Sequence, residues 1–215
     1  LNSDRKRRHN SFRDLLVVYE SSFLSFSKKC YNMSKYVEYR GIRLENCVYI
    51  ISGPPGVGKS SVSKELAYSF DKSAMIEGDM IYLMVKSGLV APWEDDGYYM
   101  DLFWDNIISL TSNLLNRSMT IIIDYVIFEE QIKKITDFLK ARQTRLKYCV
   151  LLAEEEKLKE RDLSRNEIER TGDLSIKSRK EFLAKNITQE HFLYTDQLDI
   201  RETVNLIKTE DRFFV

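Results

Sequence analysis

An α/β domain with a mainly parallel sheet is the fold class this sequence predicts, on three observations. Short runs rich in β-branched and aromatic residues alternate with amphipathic helical stretches along most of the chain. One of these runs, Ile121-Ile122-Ile123, has no polar alternation, as a strand covered on both faces requires. And the first run, Cys47 to Ser52, passes through a glycine-rich turn straight into a helical pattern in which Val62, Leu66 and Phe70 share one face.

The remaining elements follow in order. Residues 1–40 stand apart as an N-terminal extension, helical or partly disordered, with the basic cluster Arg5-Lys6-Arg7-Arg8-His9 and serines mixed with Phe12, Leu15, Leu16, Tyr19, Phe23 and Phe26. The domain itself is placed at residues 41–215. Ser73 to Glu77 reads as a second strand, broken by Gly78-Asp79, and Met80 to Lys86 as an apolar helix ending near Gly88. Pro92 and Asp95-Asp96-Gly97 mark a loop. Asp101 to Arg117 is a helix with Phe103, Ile107, Leu110 and Leu114 on one side, and Thr120 to Asp124 is the third strand. Glu129 to Arg142 is amphipathic through Ile132, Ile135 and Leu139, and Arg145 to Leu152 is the fourth strand. Glu154 to Arg165 is a charged helix whose acidic start complements the positive helix end. After a polar stretch to about Ser175, Lys177 to His191 is a further helix, Gln197 to Ile200 a short last strand and Glu202 to Lys208 a terminal helix.

Composition narrows the partners. Thirty-three basic and 33 acidic residues cancel, so overall charge offers no argument for nucleic acid or membrane binding. No apolar run approaches the ~20 residues of a membrane span. The stretch from Leu15 to Phe26 is interrupted by Glu20 and several serines, unlike a signal peptide. Cys30, Cys47 and Cys149 lack metal-ligand spacing; Cys47 and Cys149 fall at strands, as buried thiols do, and the sparse odd count suits a reducing cytosol.

The chemistry starts at Gly53-Pro54-Pro55-Gly56-Val57-Gly58-Lys59-Ser60, which fits G-x-x-x-x-G-K-[ST] between a strand and a helix. Glycines let backbone N–H groups approach phosphate oxygens, and the helix that follows, opening at Ser60 and Ser61, points its positive end at the same anion. Lys59 is expected to reach the β- and γ-phosphates of ATP, and Ser60 to ligate Mg²⁺. A plain glycine turn is the alternative. In a parallel sheet ligands sit at the carboxyl ends of the strands, where Asp79 and Asp124 also fall. Asp79 can accept or orient the proton of an attacking hydroxyl, and can equally cap a helix. Asp124 is expected to hold Mg²⁺. Arg161, Arg165 and Arg170 can clamp a phosphoryl group or stack on adenine, against a solvated face braced by Glu160, Asp162, Glu167 and Glu169. Pro92-Trp93, Tyr98-Tyr99 and Trp104 either line an acceptor pocket or pack an insertion. His191 is expected to be structural, with no partner in view.

Together, the glycine loop, Ile76-Glu77-Gly78-Asp79, Ile123-Asp124 and the arginine-rich segment from Arg161 to Asp173 resemble the small-molecule kinase branch of the phosphate-loop (P-loop) proteins, which includes shikimate kinase, gluconate kinase, adenylate kinase and chloramphenicol phosphotransferase. The resemblance covers about residues 46–208. It implies a three-layer sandwich with a five-stranded parallel sheet of order 2-3-1-4-5, a mobile lid at about 164–175, and ATP with Mg²⁺ as donor. It further implies Asp79 as base or hydroxyl-orienting group, with Lys59 and Arg165 beside it in catalysis and Arg161 on the nucleotide. Lys86 is the only cation near Asp79 in sequence, so shikimate-type acceptor arginines are missing and an uncharged acceptor is favoured. The expected activity is transfer of the γ-phosphate to a hydroxyl of a small molecule, in the cytoplasm, without nucleic acid. A nucleotide or polynucleotide 5′-hydroxyl kinase, and a nucleotide-dependent regulatory ATPase without acceptor, are the alternatives.

Overall fold

The computed structural model describes residues 47–88, 90, 94–167 and 170–215. The N-terminal extension, Cys30, and Pro92 and Trp93 of the aromatic cluster lie outside the described residues. Five strands form one sheet: β1 Cys47–Ser52, β2 Ser73–Glu77, β3 Thr120–Asp124, β4 Arg145–Leu152 and β5 Phe192–Tyr194. Their order is β2-β3-β1-β4-β5, and every pairing is parallel. The helices are α1 Lys59–Tyr68, α2 Gly78–Tyr82, α3 Tyr98–Leu115, α4 Lys133–Ala141, α5 Glu155–Leu163, α6 Asp173–Ala184 and α7 Ile200–Thr209.

Alternation along the strands splits the core into two layers. Val48 and Ile50 of β1, Ile121 and Ile123 of β3, and Tyr148 and Val150 of β4 face α3, α4 and α6 through Phe103, Trp104, Ile107, Ile135, Leu139 and Phe182. Their neighbours Tyr49, Ile51, Ile122, Cys149 and Leu151 face α1, α5 and α7 through Val62, Leu66, Leu158, Val204 and Ile207. Each fully buried aliphatic side chain stabilises by about 1.5–3 kcal/mol against exposure, so the continuous apolar runs of β1, β3 and β4 hold the sheet between its helices. Cys47 and Cys149 are buried free thiols.

Several boundaries differ from the sequence expectation. α2 begins at Gly78 itself and is a single turn and a half, because Gly78 packs flat against Tyr125: a Cβ there would lie 2.6 Å from the Tyr125 side chain. Glu129 to Ile132 is a 3₁₀ turn rather than the first turn of α4. α5 ends at Leu163, so Arg161 and Arg165 do not share a face of one helix. α6 starts at Asp173 and stops at Ala184, and His191 closes a separate 3₁₀ turn. The last strand is Phe192–Tyr194; Gln197 to Ile200 instead leads into α7, where Asp199 and Glu202 form a reciprocal cap.

At the far edge of α7 a lysine does what a neutral residue cannot. Lys147, in the middle of β4 and 3% exposed, donates to the carbonyls of Ile207, Lys208 and Glu210 at 3.0, 2.8 and 2.8 Å. Carbonyls at a helix end lack intrahelical partners, and a cation there suits the helix dipole.

Candidate active site

Strand register sets the site. Asp124 is the Cα partner of Ile51 on one side and Glu77 on the other. The glycine loop leaves β1 two residues beyond Ile51, and Asp79 lies two residues beyond Glu77. Three chemistry-bearing segments therefore emerge at one level of the sheet.

The loop between β1 and α1 needs its glycines. Gly53, Gly56 and Gly58 have φ of 132°, 83° and 106°, in the region side chains rarely adopt. At Gly53 a Cβ would also sit 2.2 Å from the carbonyl oxygen of Leu151. Pro54 accepts from the Val57 N–H at 3.4 Å and from Lys59 Nζ at 3.0 Å, so the lysine curls back over the loop. Pro55 is half-buried, and Ser60 and Ser61 are exposed at the start of α1.

Lys59 ties the segments together electrostatically. Burial pushes its ammonium down to about 8; the carboxylates of Asp124 and Asp79 pull it back up, and the Arg165 guanidinium pushes it down. All three groups thus lie within electrostatic reach of one ammonium. Asp124 is buried, and burial raises its carboxyl above the usual range, against the Ser60 hydroxyl bond and Lys59, with Asp79 and Glu77 raising it further. Asp79 is exposed on α2. Its charge also reaches Tyr125, whose phenol is raised chiefly by burial.

The region behind β3 is pinned by side chains the sequence did not single out. Ser52 Oγ donates to the Ile127 carbonyl at 2.6 Å and accepts from the Ile127 N–H at 2.9 Å, while the Tyr148 hydroxyl donates to the same carbonyl at 2.7 Å. A serine at the end of an apolar strand was the available signal.

The arginine-rich segment divides its work. Arg161 donates from Nη1 to the Val57 carbonyl at 2.8 Å and to Thr195 Oγ1 at 3.0 Å, and from Nη2 to the Thr195 carbonyl at 2.8 Å. It joins the back of the glycine loop to the end of β5, so a solvated helix face does not describe it. Arg170 donates to the carbonyls of Arg165 and Leu163. Asp162, read as one of the surface acids, is buried and accepts the Thr171 N–H at 2.8 Å, the Thr171 hydroxyl at 2.9 Å and the Gly172 N–H at 2.8 Å. These bonds, the Thr171 N–H first, hold its carboxyl below the usual range. Thr171 stands next to the loop: a Cβ at Gly56 would be 3.6 Å from its hydroxyl. Arg179 of α6, another residue unremarked in the sequence, is buried on the Ala153 carbonyl at 2.7 Å and Glu154 at 2.6 Å.

Two side chains find their place in the core. Trp104 is 5% exposed and stacks edge-on with Phe103 at 5.3 Å, so it packs the core rather than lining a pocket. His191 has neighbours: its Nδ1 lies 3.5 Å from Glu129 and its ring meets Tyr148 edge-on. It is buried and structural.

The donor set fits the groups expected here. The three left-handed glycines leave a backbone cradle next to an ammonium, which suits a polyphosphate. Ser60 beside Asp124 is a hard oxygen set, which suits Mg²⁺. Among the described residues no cluster of three or more His, Cys, Asp or Glu side chains is placed to hold a metal, and no helix is long and apolar enough to cross a membrane. A cavity of about 390 Å³ lined by Thr136, Leu139, Arg145 and Phe214 lies at the amino end of β4, the opposite end from the loop.

No protein-family profile and no curated protein sequence matches the chain. Solved structures do. The tunicamycin resistance protein of Deinococcus radiodurans superposes with a TM-score of 0.56 at 18% identity, over 75% of this chain and 93% of that one. A gluconokinase from Sinorhizobium meliloti 1021 gives 0.52 at 17% identity, over 77% and 94%. The APS kinase of Mycobacterium tuberculosis, in complex with AMPPNP and APS, gives 0.52 at 14% identity, over 76% and 96%. With the five-stranded parallel sheet of order 2-3-1-4-5 already in view, these neighbours show that the chain has the fold of the P-loop small-molecule kinases.

Proposed function

We propose that the protein is an ATP-dependent phosphotransferase that moves the γ-phosphoryl group to a hydroxyl of a small, uncharged acceptor. The observation that carries this reading is that strand register brings Asp124 and the Asp79 segment out beside the glycine cradle, where Lys59 feels both carboxylates and Arg165. The fold shared with kinases supports it.

In this reading the backbone N–H groups from Gly53 to Ser61 and the start of α1 hold the phosphates. Lys59 neutralises charge on the transferring group, and Arg165 approaches it from the segment after α5. Ser60 and Asp124 hold Mg²⁺, which when bound neutralises charge on the phosphate oxygens. Arg161, through Val57, keeps the loop in its bound shape and acts as a positioning residue. Asp79 accepts the acceptor's hydroxyl proton as the new oxygen–phosphorus bond forms and ADP leaves.

Phosphoryl transfer from labelled ATP to an alcohol library, read by mass spectrometry, tests the assignment. Asp79→Ala is expected to lower kcat on the acceptor by about two to four orders of magnitude, and Lys59→Ala by about two to three. Unchanged turnover in Asp79→Ala would remove Asp79 from the chemistry. Hydrolysis of ATP with no acceptor-dependent product across the library would leave a regulatory ATPase instead.

A further inference from the structure

α2 carries the candidate base, and its outward face has an unusual composition. On a helical wheel Gly78 and Tyr82 lie together and point inward: Gly78 against Tyr125, Tyr82 against Phe103 with ring centroids 6.4 Å apart. Asp79 and Met80 leave the helix on the other side, and Leu83 and Met84 follow in the turn that ends it. The helix closes in a turn past Tyr82, where the Leu83 N–H donates to the Asp79 carbonyl and the Met84 N–H to the Ile81 carbonyl. Met80 is 63% exposed, Met84 62% and Leu83 50%. Solvated helix faces normally carry polar side chains, so three large apolar residues beside one carboxylate call for a ligand.

The face is held rather than slack. The Tyr82 hydroxyl donates to the Val90 carbonyl at 3.2 Å, and the Tyr99 hydroxyl to the Gly88 carbonyl at 2.6 Å, fastening the chain after α2 back onto α2 and α3. Asp95 accepts from the Tyr99 and Met100 N–H groups and fixes the start of α3. Met84 and Leu102, the latter 39% exposed, border a notch of about 20 Å³ between α2 and α3. That notch has room for about one water molecule. The same stretch of chain carries Glu77, Asp79, Glu94, Asp95 and Asp96 with Lys86 as its one basic residue.

We propose that the acceptor is an uncharged alcohol with a substantial apolar or aromatic body, which lies on Met80, Leu83 and Met84 while its hydroxyl reaches Asp79. The inference rests on the phosphotransferase reading above and narrows its substrate class. Leucine offers no hydrogen bond and methionine only a weak sulfur acceptor to the several hydroxyls of a polyol, and neither pairs with the charge of a phosphorylated or sulfated acceptor. Flexible thioethers suit apolar bodies of more than one shape. The patch adjoins the candidate site: Met80 follows Asp79 on α2, and the Leu83 N–H donates to the Asp79 carbonyl.

Matched alcohol pairs test it on the full chain with ATP and Mg²⁺: octyl glucoside below its micelle concentration against glucose, and 3-phenylpropane-1,2-diol against glycerol. The apolar member of each pair is expected to give at least about tenfold higher kcat/KM. Met80→Gln with Met84→Gln is expected to cut that kcat/KM about tenfold through KM, while Met80→Leu with Met84→Leu keeps it. Equal turnover within the pairs, or a preference for glucose or glycerol, overturns the acceptor class and leaves the phosphotransferase intact. No phosphorylation of any alcohol by a chain that binds ATP overturns both. A concentration-dependent dimer in sedimentation that the two glutamines dissociate assigns the patch to a second copy of the chain, and also overturns the proposal.

Discussion

Lys59 is the residue on which the electrostatics of the site turns. Its pKa falls from an ordinary 10.5 to about 8, with burial as the largest cause. Between those values the folded chain without nucleotide binds fewer protons than the unfolded chain, so its stability rises with pH across that window. Phosphate oxygens favour the charged lysine, so nucleotide binding above pH 8 must take up a proton. Affinity for a non-hydrolysable ATP analogue is therefore expected to fall by up to about tenfold per pH unit from pH 8 upward. Calorimetry in buffers of different ionisation enthalpy measures this, and Lys59→Arg should abolish it. A flat profile between pH 8 and 9.5 would show that Lys59 keeps its charge by other means. Arg161 teaches a related lesson. Its charge was legible in the sequence, but its purpose lies in Val57 and Thr195, which are distant in the chain and meet it only when β4 pairs with β1 and β5.

At the scale of elements, the start of α2 is set by the close packing of Gly78 on Tyr125. Gly78 has an ordinary φ, so glycine is required there by proximity to Tyr125 and not by backbone strain. Gly78→Ala is expected to cost about 1–3 kcal/mol, read as a lower urea midpoint with unchanged slope. A neutral result would mean that Tyr125 can step aside, and the position of Asp79 would then be soft. β1, β3 and β4 were legible because strands buried on both faces read as unbroken apolar runs, while the half-buried β2 was read from its short apolar run before Gly78-Asp79; Thr120–Asp124 and Arg145–Leu152 end where the sequence placed them. β5 was not, since Phe192-Leu193-Tyr194 is too short to form a run and is recruited by pairing with Val150 to Leu152. The start of α6 was missed for a different reason. Its first turn is organised by Asp162, nine residues before Thr171, and no local capping pattern announces a carboxylate supplied from the preceding helix.

For the whole molecule, the loop after β1 is bonded to parts far apart in sequence. Val57 holds Arg161, Thr171 stands by Gly56, and Lys59 feels both strand-end carboxylates. A nucleotide seated there is linked to the folding of the entire sheet. ATP with Mg²⁺ at a hundred times its Kd is expected to add about 2.7 kcal/mol of stability, which for a chain of this size raises Tm by roughly 5–10 °C. A differential scanning measurement with and without nucleotide checks this, and no shift would remove the donor assignment. The general position of the site was readable in advance because a parallel sheet collects loops at one end. The acceptor's character was not, because the exposure of Met80, Leu83 and Met84 depends on which side of α2 Gly78 and Tyr82 turn inward.

The ammonium of Lys147 has a further meaning. Held on three carbonyls beyond the reach of water, it is shielded from the reagents and enzymes that acylate surface amines. Its chemical reactivity is thereby coupled to the parting of α7 from β4. A modified Lys147 in a sample is the covalent trace of a molecule that had opened, and with one N–H left the side chain cannot rebuild its three carbonyl bonds.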